Sequence, residues 1–193
     1  MRPTEGLRKE HGIIMKMFAV LQSIGGMIDR HDAVMEAHLE QIMEFLTVFV
    51  DRCHHGKEEE ILFPELVASK IPDEGEMVKV LVSEHLAGRE IMEEMRRALD
   101  RLKQNIDEAS PEFADVSSRY VNLFRQHIRR ENGILFPVAN ERLSPDRQEQ
   151  ISKGFQKMEN EKIGQGRYEA FHRLIEKLAE VYRPNPDKPE LTI

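Results

Sequence analysis

An internal repeat constrains the fold of this 193-residue chain more than any other feature. The motif His-x-x-x-Glu, followed after two residues by Ile-Leu-Phe-Pro, occupies residues 54–64 and again residues 127–137. An upstream His at a matching position accompanies each copy, His11 for the first and His85 for the second. All the polar residues that the copies share are potential metal ligands. The repeat therefore predicts two helical hairpins, each of which brings two His and one Glu to one shared site.

The composition favours helices and one main domain. The helix formers Leu, Ile, Met, Glu, Lys and Arg dominate, whereas the 11 Gly and 9 Pro are few and clustered. A chain of this length can bury one good core. The formal net charge of -7, with positive and negative residues interspersed, argues against a nucleic-acid-binding protein, which needs a clustered basic face. We therefore predict an all-α protein that does not bind nucleic acid.

The N-terminus and the cysteine content predict the cellular compartment. The first residues contain no apolar segment typical of a signal peptide, and the longest apolar run near them is too short to span a bilayer. We therefore expect a cytoplasmic protein without a membrane segment. Cys53 is the single cysteine, which excludes an intrachain disulfide and any cysteine-based zinc or iron–sulfur site. Its predicted role is that of a small buried or half-buried thiol.

Four segments have apolar residues at the spacing of one helix face, and each face includes one His. They are residues 7–21, 42–61, 78–99 and 120–134. With a rise of 1.5 Å per residue, the chain runs about 25 Å from His11 to the first turn and about 30 Å back to His54. The second hairpin returns over a similar distance. All four His should thus lie at one level of an antiparallel, up-down four-helix bundle, where such bundles build metal sites.

Glycine and proline predict where these helices end. Gly25-Gly26 should break the first helix, and Pro64 and Pro137 should kink or end the second and the fourth. Further turns are predicted at residues 30–32, 69–75 and 105–111.

The repeat ends near residue 140, so we predict residues 1–140 as the bundle and residues 141–193 as a C-terminal helical extension. A fifth helix should start at Ser144-Pro145 and a sixth should run from Tyr168 to Tyr182, before a proline-rich tail. The extension should pack over the bundle or form an oligomer contact.

The predicted metal site contains six side chains from the two halves of the repeat. Residues four apart on a helix share a face, with about 5–6 Å between Cβ atoms, so each His-x-x-x-Glu pair can bind the same metal pair. The candidate ligands are His11, His54, Glu58, His85, His127 and Glu131. The alternative is a buried polar network without metal, which would have to satisfy four imidazoles and two carboxylates mutually.

The first motif contains two adjacent His and three adjacent Glu, so the pair that matches the second motif must be found by alignment. Aligning Glu58 with Glu131 predicts that His55, Glu59 and Glu60 turn away from the site and are solvated, with Glu59 as a candidate for supporting a ligand. Three other histidines lack such partners and are predicted to be ordinary surface or packing residues: His31, His38 and His172. Tyr120 should either hydrogen-bond the site or pack in the core. Whether Tyr168 or Glu161 of the extension reaches the site stays open.

These motifs make the chain resemble the hemerythrin-like family, also called the HHE cation-binding family. The resemblance covers about residues 5–140 and is carried by Glu10-His11, residues 54–64, Ser83-Glu84-His85 and residues 127–137. It implies a non-haem di-iron centre with two oxo- or hydroxo-bridged ions. The resemblance further implies that Glu58 and Glu131 bridge the irons and that the four His are terminal ligands.

One departure from the oxygen-carrying members bears on function. Those proteins have a further His one turn after the third-helix ligand, where this chain has Arg89. The resemblance therefore implies open iron positions and a site closer to the di-iron proteins of iron–sulfur repair and nitric oxide response. Those repair proteins usually carry an N-terminal cysteine-containing segment, which is not found in this sequence.

Several functions agree with such a site. Imidazole and carboxylate suit Fe, Mn and Zn alike, and the resemblance favours iron. We expect a protein that binds, senses or reduces a small oxidant, O2, H2O2 or NO, at open iron positions. One alternative is an iron- or gas-responsive module that acts on a partner, or forms a homodimer, through the C-terminal helices. Another is an iron donor for iron–sulfur repair. A third is a bundle whose metal has only a structural role. No catalytic acid or base separate from the ligands can be identified.

Overall fold

The computed structural model describes residues 2–30, 32, 34–69, 74–104, 109–164 and 166–182. Within these residues the chain forms six helices and no strand. The helices are α1 (Pro3–Asp29), α2 (36–68), α3 (Glu74–Lys103), α4 (109–142), α5 (Pro145–Lys162) and α6 (Arg167–Val181). The prediction of an all-α helical bundle with two additional C-terminal helices is confirmed. His31, parts of the predicted turns (residues 70–73 and 105–108) and the proline-rich tail lie outside the described residues.

Both helices that carry the repeated motif contain π-helical turns. In α2, the π-helical segments are Leu46–His55 and Glu58–Leu62, and in α4 the segment is Glu131–Leu135. The two copies of the motif thus share a backbone irregularity as well as a sequence, since a π-helical segment begins at the Glu of each copy. Single π-helical turns inside α-helices are frequent at functional sites.

Of the two outcomes predicted at Pro64 and Pro137, a kink or an end of the helix, the end is wrong. α2 continues beyond Pro64 to Ala68, and α4 continues beyond Pro137 to Arg142. In a regular helix, a proline ring presses on the carbonyl group four residues earlier. The wider π-helical turn directly before each proline relieves this contact, so the helix passes through.

The predicted break at Gly25-Gly26 is also wrong, because α1 runs through both glycines to Asp29. Gly25 is buried against α4, where a Cβ atom on it would lie 3.7 Å from the Cα of Ala114. Tertiary packing of this kind overrides the low helix propensity of glycine. A sequence pattern alone does not reveal which glycine faces a neighbouring helix.

Two apolar clusters fill the bundle on either side of a polar layer. The larger cluster includes Ile14, Phe18, Phe49 and Phe124, and the smaller one is built around the Ile-Leu-Phe-Pro segments. The six candidate ligands lie between these clusters. The ring of His11 stacks on that of Phe136 in the smaller cluster, with 5.4 Å between the ring centroids. The polar layer is therefore separated from solvent by apolar side chains at both ends.

The C-terminal extension packs on the bundle. α5 contributes Ile151 and Phe155 to the smaller cluster, and α6 contributes Phe171 and Ile175 to the larger one. His38 is buried and its Nδ1 lies 2.8 Å from the Tyr182 hydroxyl just after α6. These contacts cover the surface of α1 and α2. How the chain divides into domains stays a prediction.

The first helix alone is long and apolar enough to cross a membrane among the described residues. Residues Pro3–Ile28 reach a mean hydropathy of 1.3, and 56% of that window is buried inside the protein. A buried core helix passes the same test of length and composition. The expectation that the protein has no membrane segment stays a prediction.

Replacing Gly88 by Ala should destabilise the bundle next to the polar layer. A Cβ atom on Gly88 would lie 2.2 Å from Cζ of the buried Phe124, so the ring would have to move. Overpacking of this kind costs about 1–3 kcal/mol. Gly12→Ala is the control, because Gly12 is exposed within α1 with nothing within 4 Å of an added Cβ, and the change should stabilise by about 1 kcal/mol. Equal shifts of the urea midpoint in the two variants would contradict the prediction.

Candidate metal centre

Four helices each place one His at the same level of the bundle. These residues are His11 on α1, His54 on α2, His85 on α3 and His127 on α4, and each is at most 2% exposed. Glu58 and Glu131 lie among them and are fully buried. The structure thus brings together all six side chains that the sequence predicted as ligands.

The first of two ligand groups is centred on His11 and His54, and we call it position 1. The Nε2 atoms of these two rings lie 3.0 Å apart. His11 Nε2 lies 3.1 Å from Glu131 Oε2, and His54 Nε2 lies 3.5 Å from Glu58 Oε1. Two imidazole nitrogens and two carboxylate oxygens therefore converge on one point.

The second group, position 2, is centred on His85 and His127, whose Nε2 atoms lie 3.1 Å apart. His127 Nε2 lies 3.2 Å from Glu131 Oε1, and His85 Nε2 lies 3.6 Å from Glu58 Oε2. Each carboxylate thus presents one oxygen to each position. The two positions follow the same pattern, as the sequence repeat requires.

Two further carboxylates hold the outer nitrogens of the motif histidines. His54 Nδ1 lies 2.8 Å from Glu10 Oε2, and His127 Nδ1 lies 2.9 Å from Glu84 Oε2. Each of these Glu residues directly precedes the upstream His of its own half of the repeat. A neighbouring carboxylate accepts a hydrogen bond from Nδ1–H and leaves Nε2 free for a metal, which is the usual arrangement around metal-binding His.

The upstream histidines are held by residues that directly follow the buried Glu of the opposite half. His85 Nδ1 lies 2.7 Å from Glu59 Oε1, and His11 Nδ1 lies 3.0 Å from Asn132 Oδ1. All four outer nitrogens therefore face an oxygen acceptor. This assigns the proton of each neutral ring to Nδ1 and a lone pair to Nε2.

The donor set fits a pair of cations. All four carboxylate oxygens of Glu58 and Glu131 are buried without a hydrogen-bond partner. Facing them are the four Nε2 atoms, in two close pairs. Buried charges are normally paired or bind metals, because an uncompensated one costs several kcal/mol. A polar network without metal leaves these oxygens unsatisfied, so the geometry favours metal binding over that alternative.

Burial sets most of the protonation states in this layer. It lowers the pKa of His54 to about 4 and also lowers the pKa of His85, so both rings are neutral at pH 7. Burial and the nearby Glu131 carboxylate raise the pKa of Glu58. His127 differs, because Glu131 and Glu84 outweigh burial and raise its pKa to about 9. A cation entering position 2 must therefore displace a proton from His127.

The expectation that His55 is solvated is wrong. His55 is 2% exposed, and its ring stacks on that of His85 with centroids 3.9 Å apart. The corresponding residue of the second motif is Ile128, an apolar residue, and this identity could have revealed that the position is buried. Glu60 is exposed, as predicted, and Glu59 supports His85.

In each motif, a basic residue contacts the Glu that holds the outer nitrogen of the motif His. Lys57 is buried and donates to Glu10 Oε1 at 2.6 Å and to Glu159 Oε2 of α5 at 3.1 Å. Arg130, at the same place in the second motif, donates to Glu84. Position 1 is thus connected through Lys57 to the C-terminal extension. Among the described residues, no side chain of the extension accepts a hydrogen bond from Arg130.

The remaining candidates do not join the cluster. Tyr120 packs in the core between Phe18 and Phe124. Glu161 is exposed and pairs with Lys157, and Tyr168 packs on Phe49.

Arg89 and Cys53 lie near the candidate ligands but are not among them. Arg89, which occupies the place of the extra His of oxygen carriers, donates to Asp51 and Glu59 at 2.7 Å each. Cys53 is buried, as predicted, and burial raises the pKa of its thiol to about 12.

Replacing Glu10 by Gln should weaken metal binding without removing a ligand. Gln keeps an oxygen near His54 Nδ1 but loses the charge that also pairs with Lys57. Changes to groups that hold a metal-binding His typically cost 10- to 100-fold in affinity, and we expect a loss of about tenfold or more, measured by competition with a chelator. Glu176→Gln is the control, because Glu176 forms an exposed ion pair with Lys16. Unchanged affinity in Glu10→Gln would contradict the prediction.

Comparisons with known proteins agree with this geometry. The sequence model of the family described as hemerythrin HHE cation binding domain matches residues 2–139. Uncharacterised proteins of Mycobacterium bovis and of two Mycobacterium tuberculosis strains are similar to the chain. Each is 22% identical over 178 residues, which cover 92% of this chain and 68% of the relative. No solved structure matches the chain significantly.

Proposed function

Because this chain belongs to the hemerythrin HHE cation-binding domain family, we propose that it holds two iron ions and binds or reduces a small oxidant, O2, H2O2 or NO. His11 and His54 would hold one ion and His85 and His127 the other, with Glu58 and Glu131 shared between them. Iron bound in this way supplies redox chemistry and a coordination position for the oxidant. Zinc and manganese are the alternative occupants, since the donor types do not exclude them.

One observation carries this proposal. The two shared carboxylates present four buried oxygens without hydrogen-bond partners to four Nε2 atoms, at two points with the same pattern. Such a set suits two cations that share ligands. A single structural ion would leave half of these donors unused.

The surroundings of the site favour a small ligand. Five apolar side chains and those of His54, His55 and His127 pack closely beside the cluster and leave only a narrow gap without room for a water molecule. This gap is far smaller than the pockets of about 300–1,000 Å³ that hold drug-sized ligands. A diatomic molecule or peroxide therefore suits the site better than a metabolite. The apolar lining also keeps water away from the bound ions.

Iron content and an optical spectrum test the proposal. Protein from iron-supplemented cells should contain about two irons per chain and show the charge-transfer bands of a bridged di-iron centre, and azide should shift these bands. O2, H2O2 and NO are then added to the reduced protein. Zinc as the resident metal, or spectra that none of these molecules changes, would overturn the proposal.

The contact between Lys57 and Glu159 favours a second candidate function, in which the metal site acts on a partner through the extension. Lys57 bridges Glu10, which holds His54, and α5, so the occupancy of position 1 can alter how α5 packs. Protease sensitivity of residues 145–182 should then differ between metal-loaded and metal-free protein. Glu159→Gln should reduce this difference. Identical digestion patterns in the loaded and metal-free forms would contradict this function.

A further inference from the structure

We propose that His55 is a further ligand of position 2, so that the two metal positions are chemically different. This inference rests on the proposed function and adds a residue that the repeat does not supply. Position 1 then has two imidazole ligands and position 2 has three. The small oxidant would bind at position 1, where fewer protein ligands leave the coordination open.

The location of His55 supports this role. One ring nitrogen of His55 lies within 4.8 Å of the ligand atoms that Glu58, His85 and His127 offer. The ring is stacked against His85 and lies edge-on to His127, with centroids 3.9 Å and 5.8 Å apart. His55 also lines the narrow gap beside the cluster. It is therefore next to position 2 rather than on the outside of the helix.

The hydrogen bonds of His55 differ from those of the other four histidines. His55 Nδ1 is buried without a hydrogen-bond partner, and the closest carboxylate oxygen, Asp51 Oδ1, is 3.6 Å away. That oxygen already accepts from Arg89 Nε at 2.7 Å. A buried polar group that is left without a partner destabilises the folded protein. A small rotation of the ring towards position 2 would give a nitrogen of this ring a partner when a cation is present.

Packing alone does not require an imidazole at this place. The corresponding residue of the second motif, Ile128, is buried in the larger apolar cluster. An isoleucine at position 55 would fill similar space without a buried unsatisfied nitrogen. Stacking on His85 and Phe124 accounts for a flat ring at this place, whereas the buried nitrogen without a partner is accounted for by a ligand role.

Mössbauer spectroscopy of the ⁵⁷Fe-loaded full chain tests the inference. The wild type should show two quadrupole doublets of equal area, because its two irons have different ligand sets. His55→Ile, which copies the second motif, should bring the doublets together and lower the affinity for one of the two irons about tenfold or more. His55→Gln provides a second variant if the isoleucine variant does not fold.

The outcomes separate this inference from the proposed function. Two irons in one environment in the wild type, or an unchanged pair of doublets in both His55 variants, would overturn the role of His55 alone. A wild-type protein that takes up no iron would overturn the proposed function and the role of His55 with it. Ile128→Val serves as the control on the opposite half, and its two doublets should stay as in the wild type.

Discussion

Replacing Glu58 by Gln will abolish the binding of both cations and raise the stability of the cation-free protein. Glu58 presents Oε1 to His54 and Oε2 to His85, at 3.5 and 3.6 Å from their Nε2 atoms. A glutamine offers one neutral oxygen in place of this pair, so both positions lose a charged ligand. In the cation-free protein, a buried carboxyl group without hydrogen-bond partners costs about 1–3 kcal/mol. The same substitution therefore acts in opposite directions on metal binding and on folding.

The stability gain in the cation-free variant depends on pH. Burial and Glu131 raise the pKa of Glu58 above its ordinary value of 4.5. Above pH 4.5 the unfolded chain has released this proton while the folded chain retains it, so the unfolded state binds fewer protons and stability falls as the pH rises. Glu58→Gln lacks this contribution. Its advantage over the cation-free wild type should therefore grow from pH 4.5 upwards.

Metal analysis and thermal unfolding measure both effects. We expect fewer than about 0.2 ions per chain in Glu58→Gln, and a melting temperature several degrees above that of the cation-free wild type, since 1 kcal/mol corresponds to roughly 2–4 °C for a chain of this size. Glu60→Gln is the control, because Glu60 belongs to the same run of three Glu but is exposed. Two ions retained by Glu58→Gln would refute the shared-ligand role.

The repeat was sufficient to predict the six candidate ligands because the two copies match in sequence and also place their side chains on equivalent helix faces. Two copies with the same polar residues on the same helix faces leave one arrangement in which the side chains can meet. The supporting residues Glu10 and Glu84 follow the repeat as well, since each directly precedes an upstream His. They could have been recognised by asking what holds the outer nitrogen of each ring.

Helix continuation through glycine and proline was not predicted, because it contradicts the local helix propensities of these residues. Helix α1 passes Gly25-Gly26 and α2 passes Pro64, because packing against α4 and a π-helical turn outweigh the local preferences. His55 was missed for a related reason. Its place inside the bundle is clear only when it is compared with Ile128, and that comparison shows burial without showing a chemical role.

Removing the metal will strongly destabilise the wild-type protein. A ligand that binds only the folded state stabilises it by about 4 kcal/mol when its free concentration is 1,000 times its Kd. At roughly 2–4 °C per kcal/mol, the melting temperature should fall by about 8–16 °C. The physical reason is that the cation-free layer holds two carboxyl groups and four imidazoles between two apolar clusters, which separate them from solvent.

Calorimetry before and after reduction and treatment with a ferrous chelator measures this loss, and readdition of ferrous iron should reverse it. Glu58→Gln is the matched control, because it has no ions to lose and its melting temperature should not respond to the chelator. If metal analysis shows that the ions were bound and are removed, an unchanged wild-type melting temperature would mean that the folded and unfolded chains bind the metal equally. That result would contradict a site preformed by packing, since only the folded bundle brings His11, His54, His85 and His127 together.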